Sequence, residues 1–198
     1  MYTLSFTQVQ PVDLGVSVPD NLTDNLTWLP ELIEYSHFGG DWQAFIDAAY
    51  DYYAKDFILD EPELLGRTVK SKRHVAYNGQ DHSFWHCIEE HAGGQRNEEN
   101  RIPKISLVER IRWPRPIIEH VARTPGILAW TEIRRGHGTS KRVHLFVEEK
   151  DYCVVLEPRG KDEHGKPRYY LLWTTFLCET ENEHNKMLRR YAREEKIN

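Results

Sequence analysis

Apolar and polar positions change their spacing along the chain, and the change separates helical from extended stretches. Trp42, Phe45, Ile46, Ala49, Tyr50 and Tyr53 recur at intervals of three and four. That spacing predicts a helix over Trp42–Lys55 with one apolar face, capped by Asp41 and separated from what precedes it by Gly39-Gly40. A shorter helix is expected over Trp28–Glu34, with Pro30 tolerated in its first turn. Arg67–Tyr77 alternates loosely through Val69, Lys70, Lys72 and Val75. This reads as an interrupted strand with a basic face, followed by an Asn78-Gly79 turn and a partner strand over Ser83–Ile88. Glu89–Asn100 is polar and reads as a loop. Leu107–Trp113 is expected to form a short helix capped by Ser106, with Pro114 and Pro116 ending it and forcing extended backbone.

The last third is dominated by strand-like runs. Ile127–Ile133, Lys141–Glu148, Asp151–Glu157 and Arg168–Cys178 are rich in Val, Leu, Tyr, Phe and Trp and are separated by turn residues. Successive antiparallel pairing, a meander, is the expected arrangement. A polar helix over Glu181–Lys196 closes the chain, with Met187, Leu188 and Tyr191 to lie on the sheet. The expected class is α+β, with helices packed on a four-stranded or larger antiparallel sheet and a helix at the C-terminus. Residues 1–29 read as an N-terminal extension, extended near Val16 and Val18 and turn-rich over 20–25. Residues 30–198 read as a single domain.

Composition refines this picture. The chain has 198 residues, 39% hydrophobic and 29% charged, so its aliphatic content is modest; 12% aromatics, including six Trp, make up buried area. The formal charge is −5, which excludes a protein held to nucleic acid by charge over its whole surface. Such contact must use a local patch. Cys87, Cys153 and Cys178 are far apart and odd in number, which fits a reduced, cytoplasmic setting. The N-terminus lacks a basic segment followed by an apolar run, so no signal peptide is expected, and no membrane span is expected either.

Two blocks carry the candidate chemistry. One is Phe84-Trp85-His86-Cys87, preceded by His82. The other is Glu109-Arg110-Ile111-Arg112-Trp113-Pro114-Arg115-Pro116-Ile117-Ile118-Glu119. With Trp42, Asp56-Phe57, Gly66 and Leu171-Leu172-Trp173-Thr174 before a charged helix, these blocks resemble a family of small phage- and prophage-associated bacterial proteins. That family is similar to the phage branch of the barnase–EndoU–colicin–RelE nuclease superfamily, and the likeness covers roughly residues 40 to 195. It implies helices on a four-stranded antiparallel sheet and metal-independent RNA cleavage at the sheet face, without a cofactor.

Such cleavage needs a base for the 2′-hydroxyl, an acid for the leaving oxygen and cations for the phosphate. His86 is the first candidate for proton transfer; a buried histidine bonded to a backbone carbonyl fits the position equally well. Arg112 and Arg115, with Arg110, are the phosphate candidates, against an exposed role or an ion pair with Glu109 or Glu119. Glu119 is either a base or the group that orients an arginine. Thr174 and Thr175 could offer hydroxyls to phosphate, and are also ordinary strand residues. Two other classes start from the same chain. His82 and His86, four apart, could share a zinc ion, although no fourth ligand is evident. Alternatively the chain is a non-catalytic module, a phage accessory or an RNA or protein binder. A nuclease of this kind would imply an antitoxin or immunity protein as partner.

Overall fold

A computed structural model describes residues 26–91, 101–121, 123–136 and 138–197. In chain order the elements are a 3-10 turn Tyr35–Phe38, α1 (Trp42–Ala54) running into one π-helical turn Lys55–Leu59, β1 (Glu63–Leu64), β2 (Arg67–Lys70), β3 (Val75–Tyr77), β4 (Gln80–Asp81), α2 (His82–Ile88), β5 (Glu89–His91), β6 (Arg101–Pro103), α3 (Ile105–Val108), α4 (Pro114–His120), β7 (Ile127–Gly136), β8 (Gly138–Val147), β9 (Tyr152–Arg159), β10 (Tyr169–Leu177), α5 (Glu181–Arg193) and β11 (Glu195–Lys196).

The α+β class holds. One sheet has the strand order β1-β2-β10-β9-β8-β7-β11. The meander of β7 to β10 pairs antiparallel throughout, as the alternation in the last third predicts. Only β2 joins in parallel, against Tyr170 and Leu171. Alternate residues of these strands point to opposite faces. Leu145, Val147, Val154, Leu156, Tyr170 and Leu172 pack one face into the main core with Phe45, Phe57, Phe84 and Ile117 from the helices. The other face carries a smaller cluster, Trp130, Phe146, Cys153 and Val155, roofed by Met187 of α5. That helix is held at its start by a capping box: Thr180 accepts from the Glu183 N–H, and Glu183 returns a bond to the Thr180 N–H.

The helix over Trp42–Ala54 begins as expected, with the Asp41 carboxylate accepting the Ala44 N–H at 3.0 Å. Asn78 and Gly79 turn with positive φ. Four expectations need correction. Ser83–Ile88 is not a strand: it lies within α2, every residue of it buried. Burial on all sides removes the polar–apolar alternation that marks an edge strand, so the apolar run was ambiguous between helix and strand. Pro114 and Pro116 do not force extended backbone; Pro114 opens α4, where its missing N–H costs nothing. The preceding helix is shorter than expected, Ile105–Val108 with Lys104 rather than Ser106 at its N-cap. Trp28–Glu34 contains no helix; the 3-10 turn follows it.

Two assignments at the margins are sharpened. Glu89–His91 pairs antiparallel with Arg101–Pro103, so the ends of the polar loop form a ribbon; residues 92–100 lie outside the described residues. Leu26 is buried in the main core, Trp28 stacks on His120 at 4.6 Å, and Pro30 accepts from the Trp113 indole at 2.9 Å. The packed part of the chain therefore begins no later than Leu26, and the extended reading of Val16 and Val18 falls outside the described residues.

Candidate functional site

The helix α2 lies against β10 and brings His82 and His86 one turn apart, their rings stacked at 4.1 Å. His86 is buried at 8% exposure. Its backbone carbonyl accepts from the Thr174 hydroxyl at 2.5 Å, and that of Cys87 accepts from Thr175 at 2.6 Å. Both threonines thus tie the helix to the strand. The helix keeps both histidines on one face, as a strand would also have done for positions four apart. No group of three or more His, Cys, Asp or Glu suited to a metal ion occurs among the described residues.

The candidate arginines serve a different neighbourhood. Arg115 donates to the backbone carbonyls of Asp56 and Asp60 (3.1 and 2.5 Å), and pairs with the Asp60 and Glu119 carboxylates (2.8 and 3.1 Å). It clamps the open carbonyls at the end of the π-helical turn, and Glu119, one turn on in α4, orients it. Arg112 lies over the Tyr52 ring at 4.8 Å, and Arg110 covers Trp113 at 5.0 Å while donating to the Ser106 carbonyl. Arg110, Arg112 and Arg115 thus hold the helices to one another, while His86 stacks on His82 and meets the Trp173 ring at a tilt, 6.2 Å away.

A different cluster stands at the end of the sheet where β8 and β9 part, with Arg142, Glu157 and Arg159 on the α5 side by register and Lys141 on the other. The β8–β9 ladder runs from Val147↔Tyr152 to Val143↔Leu156. Beyond it β8 stays with β7 as far as Gly138, and β9 stays with β10 as far as Arg159. Pro158 has no N–H to give to β8, which suits it to the place where the ladder ends. The two hairpins diverge there around a groove of about 610 Å³ lined by Ser140, Lys141, Glu157, Arg159, Lys161 and the chain around Gly160 and Gly165.

Glu157 organises the floor of this groove. One carboxylate oxygen meets Arg142 at 2.7 Å and the other meets Arg159 at 2.5 Å. The Arg142 guanidinium also lies 4.0 Å over the Trp173 ring, so a buried cation is held by a carboxylate and an aromatic face together. Arg159 is 45% exposed. The β9–β10 turn beside it is fixed by Asp162. One carboxylate oxygen accepts the N–H groups of His164 and Lys166, and the other pairs with Arg67 of β2 at 2.6 Å. Desolvation opposes ionisation of Asp162, but the Lys166 and His164 N–H groups and Arg67 together hold its carboxyl below the usual value.

A third cluster has the residue types of a nucleophilic site. His144 lies 2.9 Å from Glu132 through one ring nitrogen and 3.8 Å from the Cys153 sulfur through the other, with Trp130 stacked on it at 5.0 Å. Both His144 and Cys153 are fully buried. Desolvation first, then Cys178, pushes the Cys153 thiol well above its ordinary value. A thiol so placed is packed beneath α5 as a small apolar group rather than offered to a substrate.

The groove escaped the sequence reading because its residues come from two hairpins, and strand propensity dominates those segments. One signal was present. Residues 134–142 hold four Lys or Arg and no Asp or Glu, and residues 158–168 hold four Lys or Arg and two Asp or Glu, in a chain of formal charge −5. Both clusters sit at turns of the meander, and consecutive hairpins bring alternate turns to the same end of a sheet. Compared with protein-family models, curated proteins and solved structures, the chain matches none.

Proposed function

We propose that the protein binds RNA through its phosphates in the groove between the β7–β8 and β9–β10 hairpins. The observation that carries this reading is the pair of arginines held side by side by Glu157, with Lys141 and Lys161 on the groove walls. One carboxylate offsets two guanidinium groups, so the floor keeps a positive excess, and the exposed Arg159 can turn from Glu157 to a phosphate. A local basic patch on an acidic chain is what a salt-sensitive nucleic-acid contact requires. The test is fluorescence anisotropy with a labelled unstructured RNA at several salt concentrations. Lys141→Ala with Lys161→Ala should weaken binding at least tenfold and reduce the salt slope by about 1.4, two single-strand contacts at about 0.7 each. Unchanged affinity and slope would remove the proposal. An antitoxin or immunity protein with an acidic surface would compete for the same groove, and RNA displacement would detect it.

A second reading, metal-independent ribonuclease, is favoured by one feature: a carboxylate that lines an open groove beside the exposed Arg159, with the buried Arg142 behind it. It supplies a base next to phosphate-binding cations, the combination that 2′-hydroxyl attack needs. The resemblance to phage-associated nucleases supports the same chemistry. Glu157 replaces Glu119 as base in this reading, Arg159 replaces Arg112 and Arg115 at the phosphate with Arg142 holding Glu157 in place, and His86 is not required. Cleavage of mixed RNA in EDTA should be lost in Glu157→Gln and kept in His86→Ala. Loss in His86→Ala with retention in Glu157→Gln would restore the histidine mechanism.

A further inference from the structure

The groove opens onto a row of half-exposed side chains on β10. Tyr169, Leu171 and Trp173 point to the face that carries Glu157, as the pairing of Tyr169 with Arg159 and of Leu171 with Glu157 requires. Trp173 stands at a register shift between Leu172 and Thr174. Such a bulge re-aims the side chain it carries. Both rings have cations beside them. Arg142 lies over Trp173 at 4.0 Å, and Lys70, on the opposite side of the strand, lies 5.2 Å from the centre of the Tyr169 ring. Lys72, exposed just past β2, lines a small hollow with His82, His86 and Trp173. From β2 to β8 the order across this face is therefore lysine, aromatic, arginine.

We propose that this face is a stacking platform for single-stranded RNA. In it Tyr169 and Trp173 receive bases, and Lys70 and Lys72 hold the phosphates on the side away from the groove. The inference rests on the RNA reading of the groove and names the form of RNA bound. Aromatic rings flanked by cations suit unpaired bases, whose faces are open, and do not suit a duplex, whose bases are already stacked. The groove has the size of a site for one or two nucleotide units rather than a double helix. Three strand spacings separate β2 from β8, about 14 Å. A stacked strand rises about 3.4 Å per nucleotide, so the platform adds about four nucleotides to the site.

The experiment compares a single-stranded 12-nucleotide RNA, a trinucleotide and a 12-base-pair duplex by anisotropy across a salt series. Lys70→Ala with Lys72→Ala should weaken the 12-mer about fivefold, lower its salt slope by about 1.4 and leave the trinucleotide unchanged. Tyr169→Leu should weaken the 12-mer about tenfold with little change in slope, since it removes a ring and no charge. The wild-type protein should bind the duplex at least tenfold more weakly than the single strand. If these variants bind the 12-mer as wild type does, while Lys141→Ala with Lys161→Ala still weakens it, the platform is wrong and the groove stands. If neither set matters, both fall. Equal affinity for duplex and single strand overturns the platform. Should Tyr169→Leu misfold, the exposed lysine pair decides the matter alone.

Discussion

The two faces of the meander are built from the same four strands and differ in almost everything else. One presents Leu145, Val147, Val154, Leu156, Tyr170 and Leu172 to the helices, at most 8% exposed. The other presents Trp130, His144, Arg142, Glu157 and Trp173. Its near half is roofed by α5 and its far half stands open between diverging hairpins. The first face is largely apolar because it is covered, and its buried Thr175 is satisfied by the Cys87 carbonyl. The second must satisfy buried charge in place, by Glu132 against His144 and by Glu157 against Arg142. Stability is therefore concentrated on one side of the sheet and adaptable charge on the other.

Alkali should break both faces at once and gives the largest expected effect. Burial raises Tyr53 and Cys153 well above their ordinary values, pushes Tyr152 up as well, and lifts Cys178 to about 11. Each folded-state value exceeds its unfolded one, so the folded state favours the protonated form. The stability this gives is complete below the unfolded values near 9 to 10 and is lost as pH rises through and beyond about 11. Circular dichroism against pH should show cooperative unfolding beginning above about pH 9; a fold unchanged at pH 11.5 would contradict the burial of these groups.

Leu145→Ala, on the covered face, should cost about 2–5 kcal/mol in denaturant unfolding. Leu171→Ala, on the open face, should cost less than about 1 kcal/mol. Similar losses at the two positions would erase the distinction between faces. Arg142→Ala should cost about 3 kcal/mol at most, since it strands Glu157 but leaves Arg159 to pair with it. Arg142→Ala combined with Glu157→Ala should recover part of the loss, a double-mutant cycle that separates the pair from packing on Trp173. The smallest effect expected is from Thr180→Ala, about 1 kcal/mol from the lost cap of α5. It should speed hydrogen exchange in that helix and leave α1 unaffected, because α5 roofs only the second face.

Elements governed by local pattern were legible in the sequence. Trp42–Ala54 shows a helical period and an Asp41 cap, and the four long strands show apolar runs divided by turns. What failed was local pattern without contrast. The segment 83–88 is buried on every side, so its apolar run carries no period to read, and Pro114 marks a helix start as readily as a helix stop. The candidate site was less legible still. Arg112 and Arg115 stand in a conspicuous motif, but their charge goes to Tyr52, Asp56 and Asp60 within the fold. Arg142 and Glu157 stand in inconspicuous strands, and only strand pairing makes them neighbours.

By itself, then, the sequence determined the α+β class, the meander and the helix at Trp42–Ala54, because periodicity and capping act over a few residues. Only the tertiary structure decided that Ser83–Ile88 is helical and that His86 stacks on His82. It also decided which arginines face an open groove and which brace the helices. The helix at 82–88 and the groove depend on contacts between residues fifteen to ninety positions apart, such as Arg142 with Glu157 and Thr174 with His86, and packing and register across a sheet, not proximity along the chain, make such contacts.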